Sequence, residues 1–231
     1  MPEVIHVEGL TNAEFFERYA APGRIGLFGG PELINRMINR AQRHLSEDRA
    51  WSRWSHAFLF QGRRADGHHW VIESDLDIHK KHIRLGVQEN RITKYHPDDK
   101  TSALAVLDFG LTPAQVERVI AAALEQVATR TRYSLRELAG TLWAMRHEEW
   151  RPRENLLARD RSLFCSAFVR HVFAEAGIDL AAGIDLKNTA PEHIARTEVP
   201  HTQWLMVRGE VPISKVRGLV RRVKARLKRR E

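Results

Sequence analysis

Cys165 is the only cysteine in the chain and the residue best suited to covalent chemistry. It lies in Ser162-Leu163-Phe164-Cys165-Ser166-Ala167-Phe168. With Ser162 as N-cap, Cys165 falls in the first turn of a helix. Free amide groups and the positive end of the helix dipole favour a thiolate there, and the thiolate is the nucleophilic form. A nucleophile needs a base. Of the twelve histidines, His56 is the best placed: it follows Trp54-Ser55 and begins the apolar run Ala57 to Phe60. A histidine at a strand start can face a helix packed on that sheet. A third group must orient the imidazole. Glu73 ends Trp70-Val71-Ile72-Glu73, and on an antiparallel neighbouring strand its carboxylate would fix the tautomer and stabilise the imidazolium. Asp75 and Asp77 compete for that role. Each residue alone has a plainer reading: a small buried hydrophobe for Cys165, a backbone-bonded strand end for His56, a solvated carboxylate for Glu73. Together they supply the residue types of a nucleophile, a base and an orienting carboxylate.

These side chains need a sheet and a helix to hold them. Thr11-Asn12-Ala13-Glu14 is a capping box opening a helix through Tyr19, broken by Pro22-Gly23. Ile25 to Phe28 reads as a short strand. Gly29-Gly30-Pro31 then starts a helix with proline in its first turn, and Ile34, Met37, Ile38, Ala41 and Leu45 form its apolar face. Ala57 to Phe60, Trp70 to Glu73, His82 to Val87 and Ala103 to Phe109 read as strands of an antiparallel meander. Thr112-Pro113-Ala114-Gln115 caps a helix to Ala128, and Ser134 opens another to Trp150. Residues 151–161 read as a loop. The cysteine helix, opened by Ser162, carries Phe164, Phe168, Val169, Val172 and Phe173 on one side and stops at Gly177. Pro191 starts a short helix, and Trp204 to Val207 is a late strand. The sum is an α+β domain.

Length and composition bound the rest. The chain has 231 residues, 43% of them hydrophobic and 29% charged, which describes an ordinary globular protein. One cysteine excludes an internal disulfide and a multi-cysteine zinc site. His68-His69 and His79-Lys80-Lys81-His82 read as solvated loops rather than metal ligands. No P-loop follows Gly29-Gly30-Pro31. No cofactor or metal is expected. The net charge of +8 is concentrated: Ser214 to Glu231 holds nine basic residues and one acidic residue, so the remainder balances. Val216, Leu219, Val220, Val223 and Leu227 recur there at helical spacing. That pattern suits an anionic membrane surface through Lys215 to Arg230, with nucleic acid ranked behind it, or docking on the body. No Trp or Phe anchors the tail. The expected division is residues 1–213 as the catalytic domain and 214–231 as a basic amphipathic tail. The opening Met1-Pro2-Glu3-Val4-Ile5-His6 has no basic-then-apolar pattern, so the expected location is cytoplasmic, with membrane association through the tail.

The body resembles the permuted branch of the NlpC-type papain-like superfamily, YiiX/YaeF-like proteins especially. The similarity rests on Trp54-Ser55-His56-Ala57-Phe58-Leu59, Val71-Ile72-Glu73 and Phe164-Cys165-Ser166-Ala167-Phe168-Val169, with the histidine strand ahead of the cysteine helix. Arg24-Ile25-Gly26-Leu27-Phe28 is similar to the strand that begins such domains, Tyr133 to a tyrosine ahead of the cysteine, and Asn188 to Glu192 to a late Thr-Pro segment. The resemblance covers residues 23–207. It implies a permuted papain-like fold, an antiparallel sheet flanked by helices. It also implies Cys165 as nucleophile, His56 as base and then acid, Glu73 as orienter, and Tyr133 as a second oxyanion donor beside the Cys165 amide. The implied activity is a cysteine-dependent hydrolase of amide bonds, with ester or thioester substrates as variants. Peptides, amides and lipid-like acyl groups are the implied substrates, and lipid acyltransfer is an alternative within the class. The alternative outside it is an inactive scaffold whose tail is the working part.

Overall fold

The computed structural model describes residues 2–45, 50–79, 82–129 and 165–208. Its strands are β1 (Glu3–His6), β2 (Ile25–Gly29), β3 (His56–Arg63), β4 (His69–His79), β5 (His82–Arg91), β6 (Ala103–Asp108) and β7 (Thr202–Val207). Its helices are α1 (Asn12–Tyr19), α2 (Leu33–Ala41), α3 (Pro113–Ala128), α4 (Cys165–Ala174) and α5 (Pro191–Ala195). The strands form one sheet in the order β1-β7-β6-β2-β3-β4-β5.

The sheet is covered on both faces, and this explains the unbroken apolar runs. Successive side chains on a strand point to opposite faces. On β3, Ala57 and Leu59 pack on one side with α3 and α4, while Phe58 and Phe60 pack on the other with α1. On β6, Ala103, Ala105 and Leu107 join the first side, and Leu104 and Val106 join the second. Phe168, Val169, Val172 and Phe173 of α4 are fully buried on the first side, as the pattern requires. The capping boxes of Thr11 with Glu14 and Thr112 with Gln115 both form. Beyond α4, Gly177 takes φ +79° and Ile178 N–H donates to Phe173 O, which turns the chain out of the helix.

Four expectations are corrected. The sheet is mixed, because β1 runs parallel to β7. β1 is four exposed residues, so it has no burial alternation to read. The meander holds through β3, β4 and β5, but β6 crosses to pair with β2 and β7. Its residues are buried on both faces, so it belongs at the sheet's centre. Pro31 precedes the N-cap Glu32, whose extended backbone (ψ 153°) starts α2 at Leu33, so the proline lies outside the first turn where it was expected. Met37 is 60% exposed and leaves the expected apolar face, while Asn39 and Gln42 are buried. The expected helix from Ser134, the loop at 151–161, Tyr133, Ser162, Phe164 and the tail lie outside the described residues.

One glycine ties the sheet to the site. Gly26 pairs across β2–β3 with Phe58, and a Cβ there would stand 2.1 Å from the Phe58 ring. The ring lies flat over Tyr95, with centroids 4.7 Å apart and planes 12° apart. Asn12 holds the segment carrying Tyr95: its buried side-chain amide donates to Tyr95 O at 2.9 Å and Thr101 Oγ1 at 2.8 Å. Gly26→Ala is therefore expected to cost about 1–3 kcal/mol in urea unfolding, the usual cost of overpacking a filled core. A variant as stable as the parent would show that the ring has room to move.

Candidate active site

His56 is the first residue of β3. By alternation it shares the face of Phe58, and Glu73 shares the face of Val71, so the two are on one side of the sheet. His56 Nε2 lies 2.7 Å from Glu73 Oε2. Cys165 packs with the cluster on the other side. The imidazole approaches it from the strand end, and Cys165 acts electrostatically on the His56 ring. Nε2 is committed to Glu73, which leaves Nδ1 for the sulfur. Cys165 is 3% exposed, and the His56 side chain is 13% exposed.

Glu73 is fully buried and accepts from four donors. His56 Nε2 and the Tyr95 hydroxyl meet Oε2. Asn90 Nδ2 at 2.7 Å and Lys94 Nζ at 3.0 Å meet Oε1. The register accounts for Asn90: Glu73 opposes Gln88 on β5, and Asn90 is the diagonal neighbour on the same face. Lys94 and Tyr95 come from the one-turn 3-10 helix Ile92–Tyr95 that follows β5. Lys94 also bridges to Asp75.

The charges follow from these contacts. Burial opposes a charge on His56. Cys165, with Glu73 after it, outweighs that and pushes the imidazole from 6.5 up to about 10. Burial alone would raise the Glu73 carboxyl, but Lys94, then His56 and Tyr95, hold it well below the usual carboxylate range. Burial would lower the Lys94 ammonium, and Glu73 and Asp75 hold it above the usual lysine range. Burial and the same two carboxylates push the Tyr95 phenol well above 10, so it stays a donor.

The supports of the cysteine helix are equally specific. Ser166 Oγ donates to Thr189 O at 2.7 Å. Arg170 is buried and forks onto Asp179, with Nε to Oδ1 at 2.7 Å and Nη2 to Oδ2 at 3.1 Å. Its Nη1 reaches Thr189 Oγ1 at 3.0 Å. The strand approach to His56 is fixed from the segment after Thr189. Glu192 accepts from Ser52 Oγ at 2.6 Å, and Gln42 bridges the Glu192 amide to Trp54 O. Trp54 is buried in the cluster that holds Cys165.

Of the residues expected from sequence, Cys165, His56 and Glu73 come together. Asp75 pairs with Lys94 instead of His56. Tyr133 lies outside the described residues. Asn90, Lys94 and Tyr95 were missed. Asn90 lies near the end of the strand that pairs with Glu73's own, and Lys94 and Tyr95 lie just after it, where polar residues are ordinary. Among the described residues, no group of three or more His, Cys, Asp or Glu side chains is arranged to hold a metal ion, and no helix is long and apolar enough to cross a membrane. Comparison with family models, curated proteins and solved structures finds no match.

The pH sign is fixed by the two partners. His56 is raised, so its contribution to stability is complete below 6.5 and is lost as pH rises through about 10. Glu73 is lowered, so its contribution is present above 4.5 and is lost as pH falls toward its depressed value. NMR titration of the His56 ring should accordingly show an imidazolium that persists to about 10. In Cys165→Ser the ring should titrate at lower pH, because Cys165 is the largest cause raising it. An unchanged titration in that variant would mean that the sulfur is not its partner.

Proposed function

We propose that this protein is a cysteine-dependent hydrolase of amide bonds, or of ester or thioester bonds, working through a thioester acyl-enzyme with Cys165, His56 and Glu73 as its triad. The observation that carries the reading is His56 set 2.7 Å from a buried, four-donor carboxylate and electrostatically coupled to Cys165. The competing reading is an inert packed thiol, supported by the 3% exposure of Cys165. It gives no reason to place a fully buried carboxylate and a largely buried histidine beside it, which is costly unless each is paired.

In this mechanism the Cys165 thiolate attacks the substrate carbonyl carbon. The S–C bond forms, and the carbonyl π pair moves to oxygen. The Cys165 backbone N–H, near the helix start, is the oxyanion donor, with Tyr133 as the second. His56 gives its Nδ1 proton to the leaving nitrogen as the C–N bond breaks. A thioester remains and the imidazole is neutral. Water then gives a proton to Nδ1 while its oxygen attacks the thioester carbon. Collapse expels the sulfur, releases the acid and restores the thiolate–imidazolium pair. An alcohol or amine in place of water makes the same chemistry acyltransfer. Peptides, simple amides and lipid-like acyl groups are substrates in this reading, with the basic segment from Lys215 to Arg230 drawing the enzyme to anionic lipid.

An activated ester tests the chemistry without knowledge of the natural substrate. Exposed to p-nitrophenyl acetate, the protein should release nitrophenolate in a burst of one equivalent per chain and carry an acetyl group on Cys165, followed by slower turnover. Cys165→Ala should abolish the adduct, and His56→Ala should lower turnover by about 10³-fold. Turnover that survives in Cys165→Ala would overturn the proposal.

A further inference from the structure

Glu73 touches neither the thiol nor any reacting atom, yet it is the most heavily bonded side chain of the site. The groups facing it come from every element around it: His56 from β3, Asn90 from β5, and Lys94 and Tyr95 from the turn after β5. Asp75, two residues on along β4, reaches it through Lys94. Cys165, from α4, acts on His56 and on Tyr95.

A buried carboxylate beside a buried imidazolium has a cheap way to lose both charges: the proton moves from nitrogen to oxygen. Burial favours that neutral pair. A protonated Glu73 would have one acceptor lone pair fewer and a new O–H to place, and His56 would lose the contact that fixes its tautomer. Two of the four donors prevent this. Lys94 sets a full positive charge 3.0 Å from Oε1, and Asp75 holds it there. Tyr95 donates to the oxygen that His56 uses, and its ring is locked by the stack on Phe58. Both favour the charged carboxylate and therefore keep the proton on His56.

We propose that Lys94 and Tyr95 are positioning residues that set the lowest pH at which the Cys165–His56 pair works, acting through Glu73. This rests on the reading of that pair as catalytic. Neither residue contacts the substrate in this scheme. Lys94 supplies charge and Tyr95 supplies direction.

The test uses the full chain and iodoacetamide. Alkylation of Cys165 is followed by intact mass from about pH 4 to about pH 8 in wild type, Lys94→Gln, Lys94→Arg, Tyr95→Phe and His56→Ala, with thermal melts to verify folding. The side-chain carboxyl ¹³C signal of Glu73 is titrated in parallel. In Lys94→Gln the acid limb of alkylation and the Glu73 titration should both move up by about one pH unit or more, as loss of one opposing charge at this distance predicts. Tyr95→Phe keeps the ring and should move both in the same direction by less. Lys94→Arg should return them toward wild type. Acid limbs that superimpose on wild type, or a uniform loss of rate at every pH, would reduce Lys94 and Tyr95 to structural residues and overturn the proposal. A wild-type thiol that labels as it does in His56→Ala overturns the catalytic reading itself, and that result is distinct from superimposed limbs in a His56-dependent protein.

Discussion

A carboxylate with no access to water must be paid for by its neighbours, and Glu73 is such a group. An unpaired buried charge costs several kcal/mol, whereas one with all its lone pairs engaged is tolerated and rigid. Four donors from three segments converge on it. Each is held by something else. Tyr95 is stacked on Phe58, which lies over the bare face of Gly26. The backbone carbonyl of Tyr95 is bonded by the amide of Asn12. Lys94 is shared with Asp75. The position of one carboxylate thus depends on β2, on α1, on the β4–β5 pairing and on the turn after it.

The sheet and the cysteine helix impose the second constraint. His56 and Glu73 occupy one face, and Cys165 packs from the other. Only a residue at a strand end can join them, and His56 is the first residue of β3. The approach to that end is fixed by Gln42, Ser52 and Glu192, while α4 is fixed by Ser166 and Arg170. Both sets of bonds lead to the stretch from Thr189 to Glu192. A segment without an evident chemical role in the sequence therefore sets the distance between thiol and imidazole.

What the sequence reveals follows from how local the cause is. Capping boxes are four-residue patterns, and those at Thr11 and Thr112 form as read. Ala57 to Phe60 and the apolar side of α4 report burial directly. Cys165, His56 and Glu73 are legible because their residue types are chemically unusual in those settings. β1 was not legible, since four exposed residues paired only at one edge leave no pattern. Nor was the crossing of β6, because a strand buried on both faces carries no information about its neighbours. Asn90, Lys94 and Tyr95 depend on register and on a 3-10 turn, and both are set by tertiary contact. A lysine and a tyrosine after a strand look like any solvated turn until the carboxylate they serve is located.

The central claim is that Cys165 is paired with His56, and one labelling experiment addresses it directly. Intact mass can follow iodoacetamide addition to the single thiol at about pH 6, where an ordinary cysteine is almost wholly protonated and slow. The account predicts rapid labelling of the wild-type protein and markedly slower labelling of His56→Ala. A thiol that resists the reagent, or reacts at the same ordinary rate in both proteins, would contradict the pairing and leave Cys165 a core residue.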